Sequence, residues 1–492
     1  MGTIEDFDGA RRAVAAGHAA ADAARELVAR MTPYERLWCL DGDAPTWAGL
    51  GFLTQQDGYH RAPFVGARVE RLGVPGIAFA DGPRGAVIGN STAFPVAMAR
   101  GATWDVELEE RVGEAIGREL RAQGATLTGA VCVNLLRHPA WGRAQETYGE
   151  DPFHVGELGA AATRGLQRHV MACVKHFACN SMENARFSVD VEVDDVALHE
   201  VYLPHFRRIV DEGVASVMSA YNSVNGEWCG QSVQLLSDVL RDEWGFDGYV
   251  ISDWILGLRD AATSVRAGLD IEMPYRMVRA QPLPAAIERG EVTWDGVGAA
   301  AVRVIATLLR FDHVVSGPPP SPEVVGCDAH RALAREVAGR SVVLLRNEAV
   351  DGAPVLPLPA TTRLAVLGGL ADRVNIGDGG SSDVWDLDCH TLLEGLRGTF
   401  ADVAFDDGSD LARASAVAAS AAAALVVVGF TYLDEGEYIG ETDPSLAHMF
   451  PPSDEPDVVD LFQASLASLP PTVKPDRYGE RPRGFSIGGD RS

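Results

Sequence analysis

The sequence predicts an α/β protein: a (β/α)8-type barrel over residues 1–313, a linker over 314–328, and an incomplete α/β sandwich domain over 329–492. Three observations predict it. Short apolar runs alternate with amphipathic helical stretches over about the first 310 residues, the pattern of a parallel sheet flanked by helices. Nearly every run ends in polar or charged residues, as strands do when their C-terminal ends gather at one barrel mouth. A Pro-rich stretch then separates this half from a second, shorter strand–helix alternation.

The N-terminal stretch MGTIEDFDGARRAVAAGHAAADAARELV is acidic and alanine-rich and reads as a surface helix. It lacks the basic start and compact apolar core of a secretory signal. The strand runs are PGIAFADG (75–82), AVCVNLLRHP (130–139), HVMACVKHFAC (169–179), VASVMSAYN (214–222), GYVISDW (248–254) and GLDIEMP (268–274). They end in Asp81, in Arg137 and His138, in Lys175 and His176, in Tyr221 and Asn222, in Asp253, and in Glu272. A barrel aims these groups at one place, whereas an open sheet would spread them along an edge. Between the runs, Leu108, Val112, Ala115, Ile116 and Leu120 share one helical face. Leu198, Tyr202, Phe206 and Ile209 share another, in a helix that Pro204 should kink.

The stretch VVSGPPPSPEVVGCD (314–328) has three consecutive prolines, which forbid a helix and favour an extended spacer. After it come a helix (329–340), strands (341–347 and 363–369), an alanine-rich helix (411–423) and a strand (424–430). Beyond about residue 433 the periodicity gives way to an acidic, Pro-rich loop. The chain stops at GFSIGGDRS with no closing helix or strand, so the second domain reads as incomplete.

Apolar residues make up 47% and charged residues 23% of the 492, ordinary for a globular protein with large cores. No run of about 18 apolar residues marks a membrane span. The net charge of −27 disfavours nucleic acid and anionic membranes, which need clustered Lys and Arg. Seven scattered cysteines without a CxxC motif suggest neither a disulfide framework nor a zinc site, and a reducing cytoplasm is the simplest setting.

Asp253 is the leading catalytic candidate. An aspartate at the tip of an apolar strand serves either as a helix N-cap or as a working carboxylate. Its company favours the second: Lys175, His176 and Arg143 arrive from other strand ends with positive charge to keep it ionised. Arg143 lies in GRAQETYGEDP (142–152) with Glu146, Glu150 and Asp151, a loop that otherwise reads as a solvated turn ending at Pro152. Adjacent Lys and His inside an apolar run are costly without partners.

In their order and wording, DGPRG, VNLLRHPAWGRAQETYGEDP, VKHFACNSMENAR, SAYNSVNG, LLSDVLRDEWGFDGYVISDW and AGLDIEMP resemble glycoside hydrolase family 3, the β-glucosidase and β-xylosidase group. The resemblance runs from about residue 30 to the end. It implies a barrel followed by an α/β sandwich, with no metal or cofactor. It implies that Asp253 is the nucleophile, that Asp81, Arg143, Lys175 and His176 grip the sugar hydroxyls, that Tyr221 bonds near the nucleophile, and that Trp254 stacks on the sugar. The family's acid/base is a Glu in an E-G-x-D-R pattern. Glu435-Gly436 in TYLDEGEYIG is the best match, Glu437 stands close behind, and the D-R element is displaced to GGDRS. An acidic surface loop is the plain alternative for DEGE.

Three departures matter. Val87 stands where the family often has a second Arg, so the resemblance implies one lost sugar contact and leaves open a glycone other than plain glucose. KHFACNSMENAR lacks the Gly-His-Gly of the N-acetylglucosaminidase branch. Two-domain members continue past the point where this chain ends. GDGGSSD (377–383) lacks the Lys of a P-loop; it reads as a plain turn or, by resemblance, as a loop whose Ser381 or Ser382 lines the outer pocket. The expected activity is an exo-acting retaining β-glycosidase on a small-molecule or oligosaccharide β-glycoside, with glucose as glycone. The alternatives are a sugar-binding relic, a β-xylosidase or a β-glycoside phosphorylase. An incomplete domain would expose apolar surface and favour self-association into homo-oligomers.

Overall fold

The computed structural model describes residues 4–53, 58–350, 352–377, 380–386, 388–432, 434–438, 446, 449–453, 459, 472–476, 479–482 and 489–491. Much of the acidic loop expected beyond 433 therefore lies outside the described residues.

Eight strand segments close into a ring. They are β1 (41–42), β2 (Phe64–Gly66), β3 (Ile77–Ala80), β4 (Leu127–Cys132), β5 (Met171–Phe177), β6 (Ser216–Ser219), β7 (Tyr249–Ile251) and β8 (271–272). Pairings run from β2 through β7 in order. Isolated bridges complete the circle: Ile251 with Ile271, Asp41 with Glu272, and Gly42 with Gly66. All neighbours are parallel except β2, which is antiparallel to both β1 and β3. This corrects the expectation of an all-parallel barrel. Only residues 67–76 join β2 to β3, too few for the crossover helix that parallel neighbours need.

The helices follow the sequence pattern. Leu108, Val112, Ala115, Ile116 and Leu120 are all buried on Val106–Ala122. The helix begins at Asp105, whose side chain accepts from the Leu108 amide. At Pro204 the chain forms a wide π-helical turn, Leu198–Tyr202, and then a new helix, Pro204–Asp211. The N-terminal stretch is two helices, Phe7–Ala15 and Ala20–Val28, broken at Gly17 with φ +97°. Its inner face is buried: Ala23, Ala24 and Leu27 pack in one core with Val297, Ala301 and Val304 of Trp294–Arg310. The surface-helix reading missed this, because alanine hides a buried face in composition.

The second domain holds a three-stranded parallel sheet. Its strands are β9 (Arg363–Leu367) at the centre, β10 (Asp402–Asp406) and β11 (Ala423–Val426). Helix Asp328–Arg340 agrees with expectation. Residues 341–347 do not form the expected strand. No strand among the described residues pairs with this segment, and a strand without a partner leaves its backbone groups to water. Val342, Val343, Leu344 and Leu345 stand exposed, as do Val428 and Phe430 beyond β11. A loop over 380–386 reaches the barrel: Trp385 stacks on His60 with ring centroids 4.1 Å apart, and its carbonyl accepts from the Ser91 amide at 2.8 Å.

Candidate active site

Asp253 follows β7 directly and is buried. It is no helix N-cap, since the next helix, Ala261–Ala267, is capped by Asp260. Its Oδ1 accepts from the Trp254 amide at 2.8 Å. Its Oδ2 is buried without a hydrogen-bond partner. Tyr221, at the end of β6, donates instead to the Trp254 carbonyl at 2.8 Å. The Trp254 ring lies among Phe64, Phe79 and Tyr59, with centroids 4.5, 5.1 and 5.6 Å away.

The neighbouring strand ends bring in charged groups. Lys175 on β5 donates to Asp81 Oδ1 at 2.6 Å, and the Tyr59 hydroxyl donates to Oδ2. Arg143 forks onto Glu146 with two bonds of 2.8 Å. Arg186 donates to Glu437 at 3.0 Å and lies 3.1 Å from Glu183. Each buried cation thus has a carboxylate of its own, and Asp253 has none. His176 adds no charge. Asn134 Oδ1 accepts both its backbone N–H, at 2.9 Å, and its Nδ1–H, at 3.1 Å. That leaves Nε2 to accept from Arg143 at 3.2 Å. Burial first, then the charges of Arg143, Lys175 and Arg186, hold the imidazole neutral. His176 Nε2 and Asp253 Oδ2 lie 3.7 Å apart as two acceptors. The expectation that His176 brings positive charge to Asp253 is therefore corrected, while Arg143 still draws Asp253 toward its ionised form. Burial pushes its pKa up to about 6 against the pull of Arg186 and Arg143, with Glu437 adding to the rise.

The two glutamates of DEGE have opposite surroundings. Glu437 is buried, accepts from Arg186 and from the Ser381 amide at 2.9 Å, and lies 3.8 Å from Arg143. Those cations hold its carboxyl well below the usual range despite burial. Glu435 is half-buried and paired with Arg491, and burial raises its pKa. It lines a cleft of about 540 Å³ with Arg84, Leu136, Gln145 and Tyr432. Glu272 is turned to the backbone instead, accepting from the Met277, Val278 and Arg279 amides.

Residues 59–307 match the glycosyl hydrolase family 3 N terminal domain, and residues 342–473 match the family's C-terminal domain. The chain belongs to glycosyl hydrolase family 3. The chain is similar to a β-glucosidase of Rhizobium radiobacter, 40% identical over 342 residues that cover 67% of this chain and 41% of that protein. Thermostable β-glucosidase B of Acetivibrio thermocellus is 34% identical, over 70% of this chain and 46% of its own. The chain thus spans less than half the length of these relatives. The crystal structure of DesR, a β-glucosidase from Streptomyces venezuelae in complex with D-glucose, superposes with a TM-score of 0.69 at 31% identity, over 79% of this chain and 50% of that one.

Of the residues picked from sequence, the family 3 fold gathers Asp81, Arg143, Lys175, His176, Tyr221, Asp253 and Trp254 in one mouth. Ser381 and Ser382 join them, as acceptors for Arg143 at 3.2 Å and Gln145 at 2.8 Å. Arg137 and His138 turn away, Arg137 over the Tyr202 ring and His138 into its own turn. Sequence reasoning missed Tyr59, Asn134, Glu183 and Arg186. For Arg186 a signal existed: MENAR places a Glu and an Arg three apart beside the Lys-His loop.

Proposed function

We propose that this chain is an exo-acting retaining β-glycosidase whose substrate is a terminal β-glucoside. The observation that carries the reading is the buried, unpartnered Oδ2 of Asp253 at the barrel mouth. Asp253 attacks the anomeric carbon and forms a glycosyl ester as the aglycone oxygen leaves. Glu435 gives that oxygen its proton, then takes one from the water that releases the sugar. Double displacement in general needs its two carboxyl groups about 5–5.5 Å apart. Glu435 is taken as the acid because Glu435-Gly436 matches the family's E-G pattern and burial raises its carboxyl's pKa; Glu437, which acts on Asp253 but is held ionised by Arg143 and Arg186, is the second candidate. Asp81, Lys175, Arg143 and His176 hold the sugar hydroxyls, Tyr221 fixes the turn after the nucleophile, and Trp254 supplies a stacking face. In this reading the barrel, residues 1–313, carries the nucleophile. The linker 314–328 leads to a domain over 329–492 that carries the acid. The names of the relatives support glucose as glycone. Seven unpaired cysteines suit a reducing cytoplasm.

The test is turnover of aryl β-glucosides. Asp253→Asn should lower kcat by on the order of 10³-fold or more with the fold intact. Hydrolysis should not depend on added phosphate. A variant within tenfold of wild type would overturn the nucleophile assignment.

A further inference from the structure

We propose that residues 489–491 form a clasp that seats the acid loop on the barrel mouth, with Arg491 as the positioning residue of Glu435. This rests on Glu435 being the general acid. The sequence separates Glu435 from the D-R pair by more than fifty positions, yet the fold reunites them. Gly489 bridges antiparallel to Gly436, its amide donating to the Gly436 carbonyl at 3.0 Å. Asp490 then docks the pair to the barrel. Its carboxylate accepts from the backbone amides of Gly142, Glu183 and Asn184, each at 3.0 Å, and its own amide donates to Asn184 Oδ1 at 2.9 Å. The Arg491 amide adds a bond of 2.7 Å to the Ala140 carbonyl.

Gly142 makes room for this. A Cβ there would sit 2.3 Å from the Gly489 carbonyl oxygen and 2.5 Å from that of Gly436. The Arg491 guanidinium lies over the Phe430 ring at 3.8 Å and donates to Glu435 Oε2. The pair engages one carboxylate oxygen and leaves Oε1 to carry the transferable proton. Arg491 also pulls the Glu435 pKa down against burial. It therefore sets both where the acid points and the pH above which the acid is spent.

The test compares kcat/KM against pH for two aryl β-glucosides, one with a poor and one with a good leaving group. Arg491→Gln should lower turnover of the poor substrate by about 10–100-fold and of the good one by less than about threefold. It should also move the basic limb of the poor substrate's profile upward by about one unit, because the lost cation no longer favours the carboxylate. Arg491→Lys should restore the limb. Independently of turnover, Asp490→Ala should speed hydrogen exchange in peptides covering 141–143, 183–184 and 434–438 but not across the barrel helices. An Arg491→Gln enzyme with wild-type limb and leaving-group dependence would overturn the clasp, as would unchanged exchange in Asp490→Ala. Glu435→Gln tests the underlying reading separately. If it fails to sensitise the poor substrate, Glu435 is not the acid, whatever Arg491 does.

Discussion

Burial pushes the pKa of Asp253 up to about 6, and two consequences follow at that residue. The carboxyl attacks only when ionised, so kcat/KM should fall as pH drops through about 6. A limb near pH 4 would contradict this. The stability effect has the opposite sign to that of a paired aspartate. The unfolded pKa is about 3.9, so between about pH 4 and 6 the native state holds the proton more tightly and stability falls as pH rises. Above pH 6 the cost is on the order of 2–3 kcal/mol. Asp253→Asn should therefore unfold at a higher temperature than wild type at pH 7 and at nearly the same temperature at pH 4, checked by calorimetry at both. Equal midpoints at pH 7 would show that the carboxylate is not destabilising. At Glu435, replacement by Ala should slow poor leaving groups about 10²-fold or more and good ones little, as for any lost general acid. Equal losses on both would move the role elsewhere.

The strands were legible where burial and periodicity agreed. All seven residues of β5 are buried, and their run is apolar except for Lys175 and His176, which is why those two stood out. The antiparallel β2 was not legible. Three residues leave no period to read, and direction is set by the short return over 67–76. The expected strand at 341–347 failed for the converse reason: its residues favour β structure, but no sheet edge meets it among the described residues. Site partners such as Asn134 and Glu183 were hidden because their work depends on who faces them across the mouth. The loop over 380–386 shows how an element shapes the site without a catalytic group. Its Ser381 touches Arg143 and Glu437, and it is held by the Trp385–His60 stack. Trp385→Ala should therefore raise KM for glucosides by about tenfold while changing kcat less. Unchanged steady-state constants would mean the loop is held without the stack.

Across the whole molecule, charge and apolar exposure oppose one another. The net charge of −27 repels like chains, but salt screens that repulsion beyond about 8 Å. The exposed Val342, Val343, Leu344, Leu345, Val428 and Phe430 attract at contact. Sedimentation should show association that strengthens with salt, and Leu345→Glu should weaken it without altering kcat/KM. Association insensitive to that change would place the contact elsewhere. No helix among the described residues is long and apolar enough to cross a membrane. The central claim is that barrel and acid loop form one working retaining site, and a trapped intermediate tests it most directly. The chain would be incubated with a 2-deoxy-2-fluoro-glucoside carrying a very good leaving group, then weighed intact and mapped by peptide. The account predicts one added fluoroglucosyl group on the peptide containing Asp253. A folded chain that stays unlabelled, or carries the label on another carboxylate, would contradict it.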